Sequence, residues 1–524
     1  MARQEQERVT GDQGISESFL VVRPTREGLL RIAHAPGVLL AQCLTLASIL
    51  LYSASCTAGN GATATGGIAG LAAPKPPNVV LFLADDQTWF DSGAYGNQDV
   101  PTPNIDRLAS EGMRFTHAFT GTAMCAPTRQ QLYTGLYPVR SGAYPNHSRV
   151  REGTRSLVHY FRDLGYRVAL TGKEHFGPAS SFPFERLREK GADRQRREAV
   201  DLDAAGRFMS RESRQPFFLV VASNSPHTPW TEGDPSQFDL DAIDVPGHLV
   251  DTPETRKALV AYYAEITHLD GQLGRVLSAL ESSGEQNNTI LIYTSEQGSS
   301  LPFAKWTLYD AGVRTAMVVR WPGQVAAGAT SDAMVHYVDV VPTLVDAAGS
   351  ELADVDGRSF LPVLLGQREE HREHVFGAQT TRGVIHGTDY PSRSVRSRQY
   401  KLILNLAAAN GFRNLLTLPP RNGVLASWEG VAPDRARAYL ERPEVELYDL
   451  EADPWELDNL AMDPEHRGVV ATHRAVLDEW MRSVGDHGLE TELEALDHMN
   501  PRIVERIRLR FGDGALPREA SGYE

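Results

Sequence analysis

The chain has 524 residues, enough for two or three domains with a large core, and its composition is ordinary for a globular protein. A formal net charge of −15 argues against a nucleic-acid-binding protein, and a polyanionic substrate would need a local basic pocket. Only three Cys occur, and two of them, Cys43 and Cys56, lie near the N-terminus. The rest of the chain contains Cys125 alone, so it cannot form an internal disulfide.

Residues 1–73 differ in character from the rest of the chain. A polar stretch precedes an apolar segment from Val38 to Tyr52, and small residues follow up to Cys56. This pattern is typical of a secretory signal, because the apolar segment is too short to span a bilayer comfortably. Residues 57–73 are rich in Gly, Ala and Thr and predict a flexible tether. We therefore expect an exported protein: periplasmic, secreted or lipid-anchored at Cys56. A short N-terminal anchor or a buried helix is the alternative.

The first strand signal is an apolar segment that ends in two acids. Residues 78–84 are apolar apart from the first, and Asp85 and Asp86 follow directly. The segment predicts a buried parallel strand, and open α/β sheets place their functional sites at the carboxyl ends of such strands. Adjacent buried carboxylates repel each other unless a cation neutralises them. The alternative is an exposed acidic turn.

The stretch from Cys125 to Gly135 predicts a short helix with Pro127 in its first turn and Gly135 at its end. The N-terminus of a helix presents unpaired N–H groups and favours negative charge. Arg129 follows Cys125 at i+4, so both side chains lie on one face. A thiol and a guanidinium are thus expected to converge where an anion could be held. The alternative for Cys125 is an ordinary buried core thiol.

Further segments surround this helix in the sequence. A capped helix is predicted over 102–112, and a strand over 166–170 precedes the string Thr171-Gly-Lys173-Glu-His175-Phe-Gly-Pro178. Lys173 and His175 alternate on an extended segment, so both can point into one pocket, although such residues are usually solvated surface. Apolar strands are also predicted over 217–222 and 288–295.

These motifs resemble those of the type I sulfatases. The pattern C-x-P-x-R followed by L-x-T-G at 125–135 is similar to the family signature, with Thr128 where Ser is usual. The 102–112 string is similar to the family's block between metal strand and nucleophile. The 171–178 string most resembles the heparan N-sulfatase (N-sulfoglucosamine sulfohydrolase) branch. The matching blocks follow the family's order over roughly residues 75–485.

The resemblance implies an alkaline-phosphatase-like α/β fold. In it, a mixed sheet lies between helices and a smaller C-terminal α+β subdomain follows. We place the catalytic domain at 74–367, the C-terminal subdomain at 368–490, and a tail without assignment at 491–524. The stretch carrying Thr380, Arg382, His386 and Tyr390 is expected to lean over the pocket. The polar strings at 194–197 and 371–374 are expected to be solvated helix faces.

The resemblance also implies a nucleophile and a metal site. A formylglycine-generating enzyme would oxidise Cys125 to formylglycine, whose hydrate attacks sulfur. One divalent cation, Ca²⁺ or alternatively Mg²⁺, would be held by an oxygen of residue 125 and by four other side chains: Asp85, Asp86, Glu296 and Gln297. The family normally has Asp-Asn or Asp-His at 296–297. Glu and Gln are each one methylene longer but still offer oxygen ligands, which suit a hard cation.

The remaining implied roles concern charge and protons. Arg129, Lys173 and Lys305 would neutralise negative charge on the sulfate oxygens. His227 would protonate the leaving group, Glu296 would accept the nucleophile's proton, and His175 would take the proton of the second hydroxyl. The expected substrate is a sulfate ester, or a sulfamate, of a sulfated carbohydrate. The sugar, the sulfate position and the oligomeric state are not determined by these patterns.

Two other functions stay open at this point. A phosphonate or phosphate ester hydrolase of the same superfamily would share the metal ligands and the nucleophile. A binding protein for sulfated glycans, without activity, would result if Glu296 and Gln297 prevented metal binding.

Overall fold

The computed structural model of the protein describes residues 75–188, 199–380, 388–417, 421 and 423–511. The signal-like segment, the tether, the string at 194–197, Arg382 and His386 lie outside these residues. Within the described ranges, no helix combines the length and the apolar character needed to cross a bilayer. Cys125 is present there as a free, buried cysteine.

Nine strands in the described ranges form one mixed sheet. Their order is β4-β3-β5-β1-β6-β7-β2-β8, and β9 also pairs with β2. Strands β4, β3, β5, β1 and β6 are parallel, whereas β7 is antiparallel to both β6 and β2. The strands are β1 Asn78–Ala84, β2 Met113–Phe119, β3 Arg167–Gly172, β4 Glu185–Arg186, β5 Phe217–Ala222, β6 Thr289–Ser295, β7 Arg314–Arg320, β8 Ala329–Ser331 and β9 Val335–His336.

Helices cover both faces of this sheet. Every residue of β1 is buried; Leu81 packs in the apolar cluster of one face and Phe82 in that of the other. This double burial explains why the central strands are continuous apolar segments. The helices up to residue 364 are α1 Pro103–Glu111, α2 Cys125–Thr134, α3 Pro138–Ser141, α4 Leu157–Asp163, α5 Leu202–Met209, α6 Pro253–Ser282, α7 Asp310–Val313, α8 Val340–Ala347 and α9 Leu361–Leu364. Residues of α1, α5 and α6 pack on one face, and residues of α2, α4 and α8 on the other.

A smaller antiparallel sheet follows, in the order β10-β11-β12-β13. Its strands are β10 Val375–Gln379, β11 Ser392–Arg396, β12 Tyr400–Asn405 and β13 Val445–Asp449. The later helices are α10 Gly423–Trp428, α11 Pro433–Leu440, α12 Arg467–Val484, α13 Leu489–Leu493 and α14 Pro501–Phe511. Trp480 of α12 stacks on Phe376 of β10 with 5.0 Å between ring centroids. The predicted fold class, a mixed α/β sheet with a C-terminal α+β part, is confirmed.

Two expectations from the sequence are wrong or incomplete. Residues 371–374 do not form a helix, and His371 Nε2 lies 3.1 Å from Asp339 Oδ2 instead of facing solvent. Tyr390 is buried, and its hydroxyl donates to Arg442 O at 3.2 Å. That its stretch leans over the pocket stays a prediction. Thr380 is also buried. Part of the unassigned tail is helical. The domain boundaries at 367 and 490 stay predictions.

Lys401 of β12 forms buried ion pairs with α7 and with the segment after β13. Its Nζ lies 2.5 Å from Asp310 Oδ1 and 2.8 Å from Glu456 Oε1, and the side chain is 1% exposed.

We expect Lys401→Met to lower the free energy of unfolding by about 3–5 kcal/mol, because two buried carboxylates lose a partner. Urea unfolding measures this. Arg437→Ala, which removes an exposed pair with Asp434, should cost less than about 1 kcal/mol. Equal effects of the two variants would contradict the prediction.

Candidate active site

Three parallel strands bring their carboxyl ends together. The register pairs Ala84 of β1 with Ser295 of β6, and backbone hydrogen bonds continue past the strands. Asp85 N–H donates to Ser225 O at 3.0 Å, and Glu296 N–H donates to Ala84 O at 3.0 Å. The loops after β1, β5 and β6 therefore start side by side, and the polar residues that follow each strand share one site.

The helix α2 brings Cys125 to the same place. Cys125 is its first residue, Met124 precedes it with extended backbone, and no side chain caps the helix. Gly135 ends the helix with a φ of 73°, a left-handed conformation that favours glycine. The Thr128 hydroxyl donates to Thr122 O at 2.8 Å and so ties the first turn to the preceding loop. The hydroxyl of Thr128 thus anchors the start of the helix.

Cys125 faces a group of buried acids. Its Sγ lies 3.8 Å from Asp85 Oδ1 and 3.9 Å from Asp86 Oδ1. One ligand-type atom from each of Cys125, Asp85, Asp86 and Glu296 lies within 4.8 Å of the others. An oxygen bonded to the same Cβ would lie close to the position of the thiol sulfur. The spacing is that of side chains able to share a single ion.

Gln297 completes this group with an amide. Its Nε2 donates to Asp86 Oδ1 at 2.6 Å and to Glu296 Oε1 at 3.1 Å, and lies 3.3 Å from Cys125 Sγ. Its Oε1 is buried and has no hydrogen-bond partner in the described part of the chain. Three carboxylates and one unpartnered amide oxygen form a donor set that suits a hard cation such as Ca²⁺. Despite their longer side chains, Glu296 and Gln297 lie close enough to the acids that follow β1 to share an ion with them.

Three buried cations balance the three carboxylates. Arg129 Nε lies 2.5 Å from Glu296 Oε2, and Lys305 Nζ lies 2.6 Å from Asp86 Oδ2. Lys173 forms an ion pair with Asp85 and lies 3.6 Å from Glu296 Oε1. The three positive charges of Arg129, Lys173 and Lys305 thus match in number the three negative charges of Asp85, Asp86 and Glu296. Such compensation is required, because an unpaired buried charge costs several kcal/mol.

The pKa values of the acids reflect this balance. Burial disfavours the charged form of Glu296, but Arg129 and Lys173 outweigh it and hold its pKa well below the usual value. At Asp86, burial is likewise outweighed by Lys305 and His227, and the pKa is lowered. Burial and the neighbouring Glu296 raise the pKa of Asp85 well above its usual value. Of these acids, Asp85 depends most on a further positive charge for its ionisation.

The two predicted catalytic histidines lie in different surroundings. His227 Nε2 is 3.7 Å from Asp86 Oδ2, and its Nδ1 is 2.5 Å from Thr228 O. A carbonyl oxygen only accepts, so Nδ1 carries the hydrogen. Lys305 and burial lower the pKa of His227. His175 instead contacts a third histidine: its Nε2 lies 2.8 Å from His147 Nδ1.

Direct contacts thus join nine of the ten predicted site residues, and His175 is the residue without a described hydrogen bond or ion pair to the others. Sequence reasoning missed two neighbours. Ser300 donates to Asp86 Oδ2 at 3.0 Å, and its position between Gln297 and Lys305 could have indicated it. His147 lies 28 positions before its partner, and no local pattern pointed to it.

Family models match most of the described chain. The model described as Sulfatase matches residues 77–350, and the model described as N-sulphoglucosamine sulphohydrolase, C-terminal, matches residues 298–415. An ulvan-active sulfatase of Formosa agariphila is 33% identical over 418 residues, which cover 79% of this chain and 81% of the relative. The human N-sulphoglucosamine sulphohydrolase is 31% identical over 472 residues, covering 80% and 92%.

Solved structures share the fold. A protein in complex with its substrate D-glucosamine-2-N,6-O-disulfate gives a TM-score of 0.63 at 21% identity and covers 79% of this chain and 99% of its own. The phosphonate monoester hydrolase of Agrobacterium radiobacter gives 0.61 at 21% identity, with 78% and 96% covered. The family predicted from residues 125–135 is confirmed, and the chain belongs to the sulfatase family of sulfuric ester hydrolases.

Proposed function

We propose that the protein is a formylglycine-dependent sulfatase that removes sulfate groups from a sulfated saccharide with the help of a bound divalent cation. One observation carries the proposal: the Cys125 thiol, three carboxylates and three cationic side chains converge in one buried pocket. The names of the two relatives and the disulfated glucosamine bound by the structural neighbour support a saccharide substrate.

The charge balance of the pocket supports binding of a cation and an anion together. A bound cation would favour the ionised form of Asp85, whose pKa is raised without one. With all six side chains ionised, their charges sum to zero, so a divalent cation without an anion would leave the pocket positive. A sulfate ester brings negative charge, and more negative charge shifts onto its oxygens in the transition state. Lys173 and Lys305, which contact carboxylates here, are the residues that can transfer their contacts to those oxygens. Ca²⁺, held by the oxygens of Asp85, Asp86, Glu296 and Gln297, suits this donor set.

The other side chains provide orientation and proton transfer. Formylglycine at 125 would supply a hydroxyl nucleophile, and the cation would increase its acidity. Glu296 is held by Arg129 beside Cys125, and its lowered pKa keeps it ionised. We assign it the proton of the nucleophile. His227 can hold a proton at Nε2 for the leaving group while Nδ1 stays bound to Thr228 O. His175 is assigned the proton of the second hydroxyl.

The first test addresses maturation and activity together. We expect the full chain, produced with a formylglycine-generating enzyme, to lose the Cys125 thiol and gain an aldehyde that reacts with a hydrazide. Mass spectrometry of the Cys125 peptide measures this. The matured protein should hydrolyse an aryl sulfate, and Cys125→Ala should reduce kcat by at least about 10³-fold because the nucleophile is gone.

The same assay separates the rival functions. An aryl phosphate or phosphonate turned over faster than the aryl sulfate would favour a phosphoester hydrolase. An aldehyde at 125 without any turnover, and without metal in elemental analysis, would identify a binding protein and overturn the proposal. A panel of O-sulfated and N-sulfated saccharides, including sulfated glucosamine and ulvan fragments, then defines the substrate.

A second test concerns the metal. Glu296→Gln keeps the length of the side chain but removes its negative charge. We expect the Ca²⁺ affinity in calorimetry to fall at least about 10-fold, because the charge of the ligands sets Ca²⁺ affinity and even the loss of an outer-shell partner commonly costs 10- to 100-fold. Glu281→Gln makes the same change at an exposed pair with Arg107 and should leave the affinity unchanged. Unchanged Ca²⁺ binding in Glu296→Gln would contradict the ligand role.

We also propose that the protein acts outside the cytoplasm. The apolar segment from Val38 to Tyr52 supports this, and a charged polysaccharide substrate does not cross a bilayer unaided. In a bacterial host, the full chain should appear in the exported fraction, whereas a chain starting after Cys56 should stay in the cytoplasm. Cys56→Ser should release the protein from membranes if Cys56 carries a lipid. Equal distribution of the full and shortened chains would contradict export.

A further inference from the structure

A histidine outside the motif strings contacts His175. His147 Nδ1 lies 2.8 Å from His175 Nε2, and the two ring centroids are 4.8 Å apart. The other ring nitrogen of His175, Nδ1, is buried and has no hydrogen-bond partner in the described ranges. The contact with His147 is therefore the hydrogen bond that orients the His175 ring in this part of the chain.

Both residues have backbone conformations that the surrounding structure must impose. The φ angles are 59° at His147 and 44° at His175, in the left-handed region that non-glycine residues rarely adopt. The Asn146 side chain accepts from His147 N–H at 3.1 Å, and Asn500 N–H donates to His147 O at 3.0 Å. Residues held this way against a local preference are concentrated at functional sites.

Gln130 ties both histidine loops to the nucleophile helix. It follows Arg129 in α2 and is fully buried. Its Nε2 donates to Ser148 O at 3.2 Å, and its Oε1 accepts from Val150 N–H at 3.1 Å and from Gly177 N–H at 3.3 Å. One carboxamide thus fixes the loop of His147, the loop of His175 and the helix of Cys125 relative to one another.

The C-terminal segment supports the His147 loop from outside. Ser148 and Met499 form an antiparallel β-bridge, and Arg149 N–H donates to His498 O at 3.0 Å. The Tyr144 hydroxyl donates to Thr491 O at 2.7 Å. Residues that had no predicted role therefore hold the loop that presents His147.

We propose that His147 is a positioning residue for the reaction proposed above: its Nδ1 accepts a hydrogen bond from His175 Nε2–H and so fixes the tautomer and ring orientation of His175. This rests on the proposed function, in which His175 takes a proton. With the hydrogen on Nε2, His175 Nδ1 keeps the lone pair that a base requires. Burial, His147 and Lys173 lower the pKa of His175 well below its usual value, so the ring is neutral and its tautomer matters.

Two substitutions separate the hydrogen bond from the backbone conformation. His147→Asn places an acceptor oxygen at the distance of Nδ1 from Cβ, and Asn tolerates positive φ. His147→Gly also tolerates positive φ but removes the acceptor. Comparing them avoids the strain that Ala would introduce. Thermal unfolding of both full-length variants shows whether the fold is kept.

We expect His147→Gly to lower kcat on an aryl sulfate by about 10- to 100-fold, with KM changed less than about threefold. This loss is at or below the lower limit of what a general base contributes, because His175 itself is kept. His147→Asn should stay within about fivefold of the wild-type kcat, the loss expected when the hydrogen bond survives in weaker geometry. In ¹⁵N-histidine NMR, wild-type His175 should carry its hydrogen on Nε2, and His147→Gly should show a tautomer mixture.

Several outcomes would overturn this role. They are a wild-type His175 with its hydrogen on Nδ1, a wild-type kcat in His147→Gly, or equal losses in His147→Gly and His147→Asn, which would indicate packing alone. The spectrum separates this proposal from the proposed function. A matured wild-type protein without sulfatase turnover refutes the function, while the tautomer of His175 is still measured directly.

Discussion

The compensation of three buried carboxylates by three buried cations is the interaction on which the site depends. Asp85 and Asp86 follow β1, and Glu296 follows β6. Because these two strands pair in parallel, their carboxyl ends are neighbours and the three carboxylates lie close together. Removing such charges from water costs several kcal/mol each, so they persist only with partners in good geometry. Arg129, Lys173 and Lys305 are those partners, and each comes from a different segment of the chain.

Because the three cations come from separate segments, the geometry of the site depends on how the large sheet is assembled. Helix α2 supplies Arg129, the loop after β3 supplies Lys173, and the loop before α7 supplies Lys305. A shift of β3 relative to β1, for example, would move Lys173 away from Asp85. The central strands are fully buried on both faces, which fixes their register through packing. The packed core therefore preorganises the pocket, as electrostatic catalysis requires.

The C-terminal part contributes to the same rigidity. Lys401 of β12 pairs with Asp310, which begins α7 shortly after Lys305. Residues 491–500 form hydrogen bonds with the loop of His147, and Gln130 of α2 forms another with the same loop. The second sheet and the tail thus support elements that carry site residues, although no described hydrogen bond or ion pair joins them directly to the acids.

The sequence by itself determined the family, the fold class, the strand-end acids and the Cys125–Arg129 pair. The family and the fold class come from the resemblance of the motif strings. The strand-end acids and the Cys125–Arg129 pair follow from local features, because apolar runs mark buried strands and i+4 spacing places two side chains on one helix face. It also indicated Lys173, Lys305 and His227 through short strings with family spacing. Their catalytic roles and the identity of the cation stay proposals.

Only the tertiary structure decided which distant residues meet. His147 contacts His175, which lies 28 positions later in the sequence, and Ser300 contacts Asp86, which lies 214 positions earlier. Met499 of the tail pairs with Ser148 in the loop of His147. His371 has the sequence of a solvated face, yet it pairs with a buried aspartate. Such contacts depend on how sheets and loops pack, and packing leaves no periodicity or spacing in the local sequence from which it could be predicted.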